Sequence, residues 1–448
     1  MSGSALLGLY LTMRKIINHS FFISGLIVVI LLLSGNSCSF LLSRNESSPG
    51  RPVLEIVDTF KPDLPENIYR DFGSFYFNDD GSFSFADHIS KQVSIYNPAG
   101  HVRYYFGKKG AYAGCFNAIT DIDKLPNGHI MVVDAINQTI SEFDSKGNFI
   151  GYIVEFEMNQ FHPKRNRIVY ESKEAADSVA YMVQETNKTF FLSPYCDAQI
   201  VDGRYIFLAG HEQGPYYRND LNHLNLIAKF YWPELTELFR GGQYSKVYRR
   251  SIRPLQSYDF ACVDDQVYLI EANVPYITRL NEFLEFQEII YHERTSFRPI
   301  PEDFKEDIFL EDNLKPLFDY IHGCSVMQRI FQHGPYVITY FKTIGNFENF
   351  LKDTYRHHYY NFQNYTEGID LAEFSGGDDR TYLQVLSKDL QQLFGDLKLN
   401  NRLLGFSDKY IYLAGDPKNL LQKNQILKCR ILKKEQQRYQ NRLNEYEE

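Results

Sequence analysis

FNDDGSFSFADHISKQVSIYNPAGHV, residues 77–102, and DKLPNGHIMVVDAINQTISEFDSKGNF, residues 123–149, superimpose without a gap at an offset of 47. Gly81 falls on Gly128, Asp87 on Asp134, Tyr96 on Phe143, Gly100 on Gly147 and Val102 on Phe149. Each copy reads as short alternating strands separated by turn residues. An Asp/Asn-Gly turn joins the first two strands, the strongest local hairpin signal. Asp87 or Asp134 breaks the second strand, and Pro98-Ala99-Gly100 or Ser145-Lys146-Gly147 turns the third into a fourth. Four antiparallel strands in about 47 residues is the size of one propeller blade.

The first hairpin recurs in looser form at 196–210, 258–272, 325–340 and 401–415. Its six turns are marked by Gly81, Gly128, Gly203, Asp265, Gly334 and Lys409, at steps of 47, 75, 62, 69 and 75 residues. Outer hairpins are visible at 277–290 and 382–399. One such unit cannot cover both of its apolar faces, so neighbours must stack, and closing the stack into a ring leaves neither end face exposed. The expectation is an all-β, six-bladed β-propeller of four-stranded antiparallel blades over residues 51–432. Residues 53–57 (VLEIV) are expected to complete the last blade. Excess length locates helical or loop insertions at 151–190, 211–250, 291–322 and 341–380, with a short helix predicted over 312–321. The charged run 433–448 is read as a solvated tail.

Thirty-three Tyr and 35 Phe against one Trp agree with strands, since aromatic side chains favour half-buried pleated surfaces. The amino terminus reads differently. Met13-Arg14-Lys15 opens a basic start, Phe21 to Leu33 is apolar, and Ser34-Gly35-Asn36-Ser37 leads to Cys38. That order describes a secretory signal over 1–37, with Met13 as the true start. A Cys directly after the small residues resembles a bacterial lipoprotein box, although Asn36 fits only its relaxed form. The resemblance implies lipidation of Cys38, a tether over 38–50, and an outer-membrane lipoprotein facing the periplasm. The alternative is an uncleaved anchor, with Phe40, Leu41 and Leu42 lengthening the apolar run. Removing 1–37 takes Arg14 and Lys15 away, so the net charge of −9 becomes −11. Nucleic acid is thereby excluded as a partner. Cysteines 115, 196, 262, 324 and 429 form no CxxC pair and read as buried small hydrophobes.

Residues 106–151 resemble an NHL-type repeat through Asp134, Asn137, Ile140, Phe143, Asp144 and Gly147. With the lipoprotein-like start, the whole chain resembles the six-bladed propeller lipoproteins of Bacteroidota. Blade 1 departs from the repeat at Ser90, and Ala209 and Glu271 replace the Asp in later blades. The resemblance implies fold and export and names no ligand.

No GxSxG, HExxH, P-loop or GxGxxG motif occurs. Propeller geometry places a site where the second-to-third strand turns and the blade-to-blade loops converge, because function concentrates on loops held by a scaffold. The candidate ligand contacts are His88, His211, Glu212 and Asn273 from the first set, and Lys108, Lys109 and Tyr112 from the second. Asp87 and Asp134 are expected to cap their own turns. His357-His358 beside Tyr359-Tyr360 is a second candidate patch. Two functions stay open. One is a binding or scaffold protein for a peptide, a glycan or an envelope protein. The other follows from the resemblance, since NHL-like propellers include lyases and lactonases with calcium or another divalent metal in the channel. Its ligands here would be His88, Asp134, His211 and Glu271.

Overall fold

The structure, a computed structural model, describes residues 54–63, 73–155, 190–192, 198–212, 225–232, 236–244, 258–272, 274–292, 294, 296–300, 314–354, 363, 367, 379–415 and 425–431. The export segment, Cys38 and its tether, Cys196, Asn273, His357 to Tyr360 and the tail lie outside them. Strand β1 (Leu54–Phe60) precedes the first hairpin. Blade 1 is β2 (Gly73–Phe77), β3 (Phe83–Asp87), β4 (Gln92–Tyr96) and β5 (Val102–Phe106). Blade 2 is β6 (Ile119–Lys124), β7 (Ile130–Asp134), β8 (Thr139–Phe143) and β9 (Phe149–Glu155). In blade 3 the innermost strand is in two pieces, β10 (Phe190–Leu192) and β11 (Ala198–Val201), which pair along the same strand β12 (Tyr205–Glu212). Then come β13 (Ile227–Tyr231) and β14 (Thr236–Gly241). Blade 4 is β15 (Tyr258–Val263), β16 (Gln266–Glu271), β17 (Tyr276–Asn281) and β18 (Phe286–Tyr291).

Helix α1 (Leu314–Ile321) leads into blade 5, with Pro316 in its first turn, where the missing N–H is harmless. Blade 5 is β19 (Ser325–His333), β20 (Tyr336–Thr343), β21 (Arg380–Ser387) and β22 (Gln392–Leu399), with helix α2 (Phe347–Thr354) between its second and third strands. Asn346 caps that helix by accepting the Asn349 N–H at 3.0 Å. Blade 6 has β23 (Leu403–Phe406), β24 (Ile411–Ala414) and β25 (Ile426–Ile431). Its outer strand is β1, paired antiparallel with β25 so that Ile56 faces Cys429. The chain is a six-bladed β-propeller, and its first described strand completes its last blade.

Burial explains why no blade stands alone. Each junction between neighbours contains its own cluster of buried side chains. Phe106, Phe116, Ile130 and Phe143 lie between blades 1 and 2. Met131, Ile140, Phe190 and Leu208 lie between 2 and 3. Phe207, Phe260 and Leu269 lie between 3 and 4, and Tyr268, Ile330 and Phe341 between 4 and 5. Phe331, Ile338, Leu413 and Leu427 lie between 5 and 6, and Phe77, Phe83 and Tyr412 between 6 and 1. Each fully buried large side chain contributes about 1.5–3 kcal/mol, so loss of a neighbouring blade exposes a whole cluster. The aromatic excess is used at these junctions. Phe77 stacks on Tyr412 at 3.8 Å and Phe331 on Phe406 at 3.9 Å.

The inner strands are also stapled around the ring by polar side chains. Asp121 of blade 2 accepts the Ala198 N–H of blade 3 at 2.9 Å. Gln199 of blade 3 accepts from Cys262 N–H of blade 4 at 3.0 Å and donates to the Phe260 carbonyl. Asp259 of blade 4 accepts from Ile330 N–H of blade 5 at 2.7 Å, and the ring of His333 in blade 5 meets the Ser407 carbonyl of blade 6 at 2.9 Å. An inner strand has one free edge, and these contacts satisfy backbone groups that no further strand reaches.

The turns between third and fourth strands repeat beyond blades 1 and 2. Asn97, Asp144 and Asn281 each accept two following backbone N–H groups on one side-chain oxygen. The residue three further on has positive φ in each case: Gly100, Gly147 and Leu284. In blade 5 Ser387 and Leu390 take those places. At Gly147 no side chain fits, because a Cβ would stand 2.5 Å from the Phe106 ring. Leu284 and Leu390 accept the left-handed conformation and bury their side chains instead.

Candidate functional site

Turns between first and second strands emerge at one end of the ring. Turns between second and third strands, with the blade-to-blade loops, emerge at the other. The second end contains the loop 107–118, which joins blades 1 and 2. Its backbone is pinned from within: Phe116 N–H donates to the Lys108 carbonyl at 2.8 Å, Gly110 N–H to the Phe116 carbonyl at 3.0 Å, and Cys115 N–H to the Tyr112 carbonyl at 2.8 Å. It is also pinned from blade 2. The Asn137 amide donates to the Gly110 carbonyl at 3.0 Å and accepts from the Asn117 amide at 2.6 Å.

Asp134 anchors the arrangement. Its carboxylate, wholly buried, accepts the N–H groups of Asn117 (2.6 Å), Ala118, Ile136 and Asn137 (each 3.0 Å). Burial pushes its pKa up, against the four N–H donors that favour the charged form. The expectation of a cap is met and exceeded, since Asp134 also binds the preceding loop. The Asp134 carboxylate is thereby engaged in structure. Among the described residues the Asp87 carboxylate accepts Ile89 N–H at 2.8 Å and the Ser90 hydroxyl at 2.6 Å.

The candidate contacts fall into different places. Lys108, Lys109 and Tyr112 are exposed on the pinned loop, with Tyr112 81% exposed. His88 is fully buried, its Nε2 3.0 Å from the Ser74 hydroxyl, and so joins the turn to the inner strand. His211 and Glu212 end strand β12, where they pair with Phe191 and Phe190. Glu271, the last residue of β16, is 1% exposed. Only Lys108, Lys109 and Tyr112 are shown together. Among the described residues no three His, Cys, Asp or Glu side chains converge as a metal would require.

Two features escape a reading of the sequence. Lys91 occupies the repeat position of Gln138, and both residues have positive φ. The Lys91 ammonium donates to the His88 carbonyl as the Gln138 amide donates to Ala135, three residues back in each case. Burial lowers the Lys91 pKa, Asp134 and Asp87 oppose that shift, and Lys109 reinforces it. The 47-residue offset applied to Lys91 and Gln138 was the available signal. The other feature is an acidic rim at the opposite end, from Asp79, Asp80, Asp202, Asp264, Asp265 and Asp408 in first-to-second strand turns. Lys409 stands 3.8 Å from Asp79 and Lys388 2.7 Å from Asp264. Cys115, Cys262, Cys324 and Cys429 are free thiols, and burial pushes Cys429 up to about 12.

No family model matches the chain, and no curated protein matches it. Solved structures do. A member of the DUF4221 family from Bacteroides vulgatus is similar at a TM-score of 0.56 and 10% identity, over 86% of this chain and 99% of that one. A Bacteroides fragilis protein gives 0.45 at 9% identity, over 87% and 98%. A gluconolactonase from Xanthomonas campestris gives 0.42 at 8%, over 86% and 92%. At such identities the likeness to the first speaks for the fold alone, and the fold is a six-bladed β-propeller.

Proposed function

We propose that this protein is an exported, membrane-anchored binding or scaffold protein, which recognises a peptide, glycan or envelope protein at the end of the ring bearing the loop 107–118. The observation that carries the reading is the contrast within that loop. Its backbone is fixed by bonds from Asn137 and Asp134, while Lys108, Lys109 and Tyr112 project into solvent. Rigid presentation of an exposed aromatic and two cations lowers the ordering cost of binding. Export and anchoring rest on the basic start, the apolar run 21–33 and Cys38. In the metal-assisted lyase or lactonase reading Asp134 would be a ligand, and its carboxylate is engaged by four backbone donors.

The test compares the wild type with Lys108→Glu/Lys109→Glu/Tyr112→Ala on arrays of envelope glycans and peptides. Binding that disappears in the variant while the melting temperature is kept supports the reading. Equal binding by both proteins, or none by the wild type, contradicts it. Labelled fatty acid incorporated into the wild type and absent from Cys38→Ser tests the anchor separately.

A further inference from the structure

His292 and Arg294 lie on the connection that leaves β18 and leads to blade 5. Arg294 is 8% exposed. Its Nη1 donates to the Met327 sulfur on β19, and its guanidinium carbon lies 5.9 Å from the ring centres of both Phe297 and Phe341. Its Nε and Nη2 are buried with no hydrogen-bond partner among the described residues, and the same is true of His292 Nε2. Nε and Nη2 form the side-on fork of a guanidinium, the edge whose two parallel N–H groups match the two oxygens of a carboxylate or phosphate. Sulfur and aromatic faces cannot satisfy that edge. A buried cation with an unmatched fork is costly, and buried donors without protein partners commonly mark an ion.

We propose that the junction of blades 4 and 5 is an oxyanion site, in which Nε and Nη2 of Arg294 bind one carboxylate or phosphate group side-on and His292 Nε2 supplies a third donor. The site is separate from the loop 107–118 and does not depend on the function proposed for it. Burial lowers the pKa of both groups, to about 10 for Arg294, where the Asp396 carboxylate opposes the shift, and to about 4 for His292, where Arg294 reinforces it. Arg294 is the charge that acts on His292, and Asp396, whose carboxylate accepts the Ser296 N–H at 2.8 Å, acts on Arg294. Asp396 Oδ1 is buried as well, and the fork and this carboxylate do not bond each other; an anion on the fork favours the protonated form of His292, so binding strengthens as the pH falls.

The experiment follows the melting temperature of the full-length protein against inorganic phosphate and, separately, acetate, with chloride at matched ionic strength as the control. A saturable rise with phosphate or acetate and not chloride is expected, larger at pH 6 than at pH 8. A response to phosphate alone assigns a tetrahedral anion, and a response to acetate assigns a carboxylate. Arg294→Met raises the half-saturating concentration at least about tenfold, and Arg294→Lys, which keeps the charge but loses the fork, restores little of it. Should the methionine variant fail to fold, the lysine variant carries the same comparison. No response, an equal response to chloride, or an equal response in wild type and variant overturns the proposal, because water would then satisfy the fork.

Discussion

Blades 1 and 2 carry the same turn at the same repeat position but attach it differently. In blade 2 the carboxylate of Asp134 and the amide of Asn137 reach back to the loop that enters the blade. In blade 1 Asp87 bonds, among the described residues, to its own turn alone, and Ser90 stands where Asn137 would be. The next position differs in chemistry as well. Gln138 both donates to and accepts from Leu192 of blade 3, whereas Lys91 places an ammonium there. A sequence repeat therefore fixes backbone shape more tightly than it fixes partners. The turn survives a change of side chain, and the tie between blades is what varies.

The largest expected effect separates the two aspartates. Asp134→Ala leaves four backbone donors without their acceptor, those of Ala118 and Asn137 in buried bonds, and should cost about 3 kcal/mol, while Asp87→Ala should cost about 1 kcal/mol. Denaturant unfolding of both variants checks this, and equal losses would break the comparison. Exchanging the next position comes second. Gln138→Lys should cost about 2 kcal/mol, because Leu192 N–H loses its acceptor and a charge enters a buried site. Lys91→Gln should stay within about 1 kcal/mol of wild type, since an amide can reach the same carbonyl.

Leu284→Gly carries the comparison to blade 4. It relieves a left-handed leucine, worth about 1 kcal/mol, and removes a buried side chain worth about 3 kcal/mol, for a net loss of about 2 kcal/mol. A stabilised variant would show that the later turns tolerate leucine only at a cost. The smallest effect is on pH. Burial lowers the pKa of His292 to about 4, and that of His333 also falls, against its bond to the Ser407 carbonyl. Both rings therefore bind protons more readily unfolded than folded. Their contribution is complete above the unfolded value of about 6.5 and is lost as the pH falls toward 4, by about 1 kcal/mol after solvent screening. Melting in phosphate-free buffer at pH 7 and pH 5 should show the decline, and the His292→Phe/His333→Phe variant should lessen it.

The inner hairpins were legible because their turns need Gly, Asp or Asn, whose conformational preferences survive divergence. All six appear where the marker residues put them, from Gly81 to Lys409. Strand β1 was legible as well, since a ring needs a fourth strand in its last sheet. The outer hairpins at 277–290 and 382–399 were legible too, but not the left-handed positions Leu284 and Leu390 within them, because leucine gives no hint of one. At the candidate site the exposure of Lys108, Lys109 and Tyr112 followed from their loop. The burial of His88 did not, because its partner Ser74 lies 14 residues away across a hairpin. Arg294 was invisible for a similar reason: Met327, Phe341 and Asp396 surround it from strands of another blade.

Ring closure is tested most directly by a crosslink between the two ends of the described chain. Ile56 on β1 faces Cys429 on β25 in antiparallel register, and Cys429 is a free thiol. Directly opposed residues in such a pair fall within disulfide reach. Peptide mapping of Ile56→Cys after mild oxidation should recover residues 56 and 429 in one disulfide-linked peptide from most molecules. Recovery of both as free thiols, or pairing of the introduced thiol with any other cysteine, would contradict a propeller closed by its first strand.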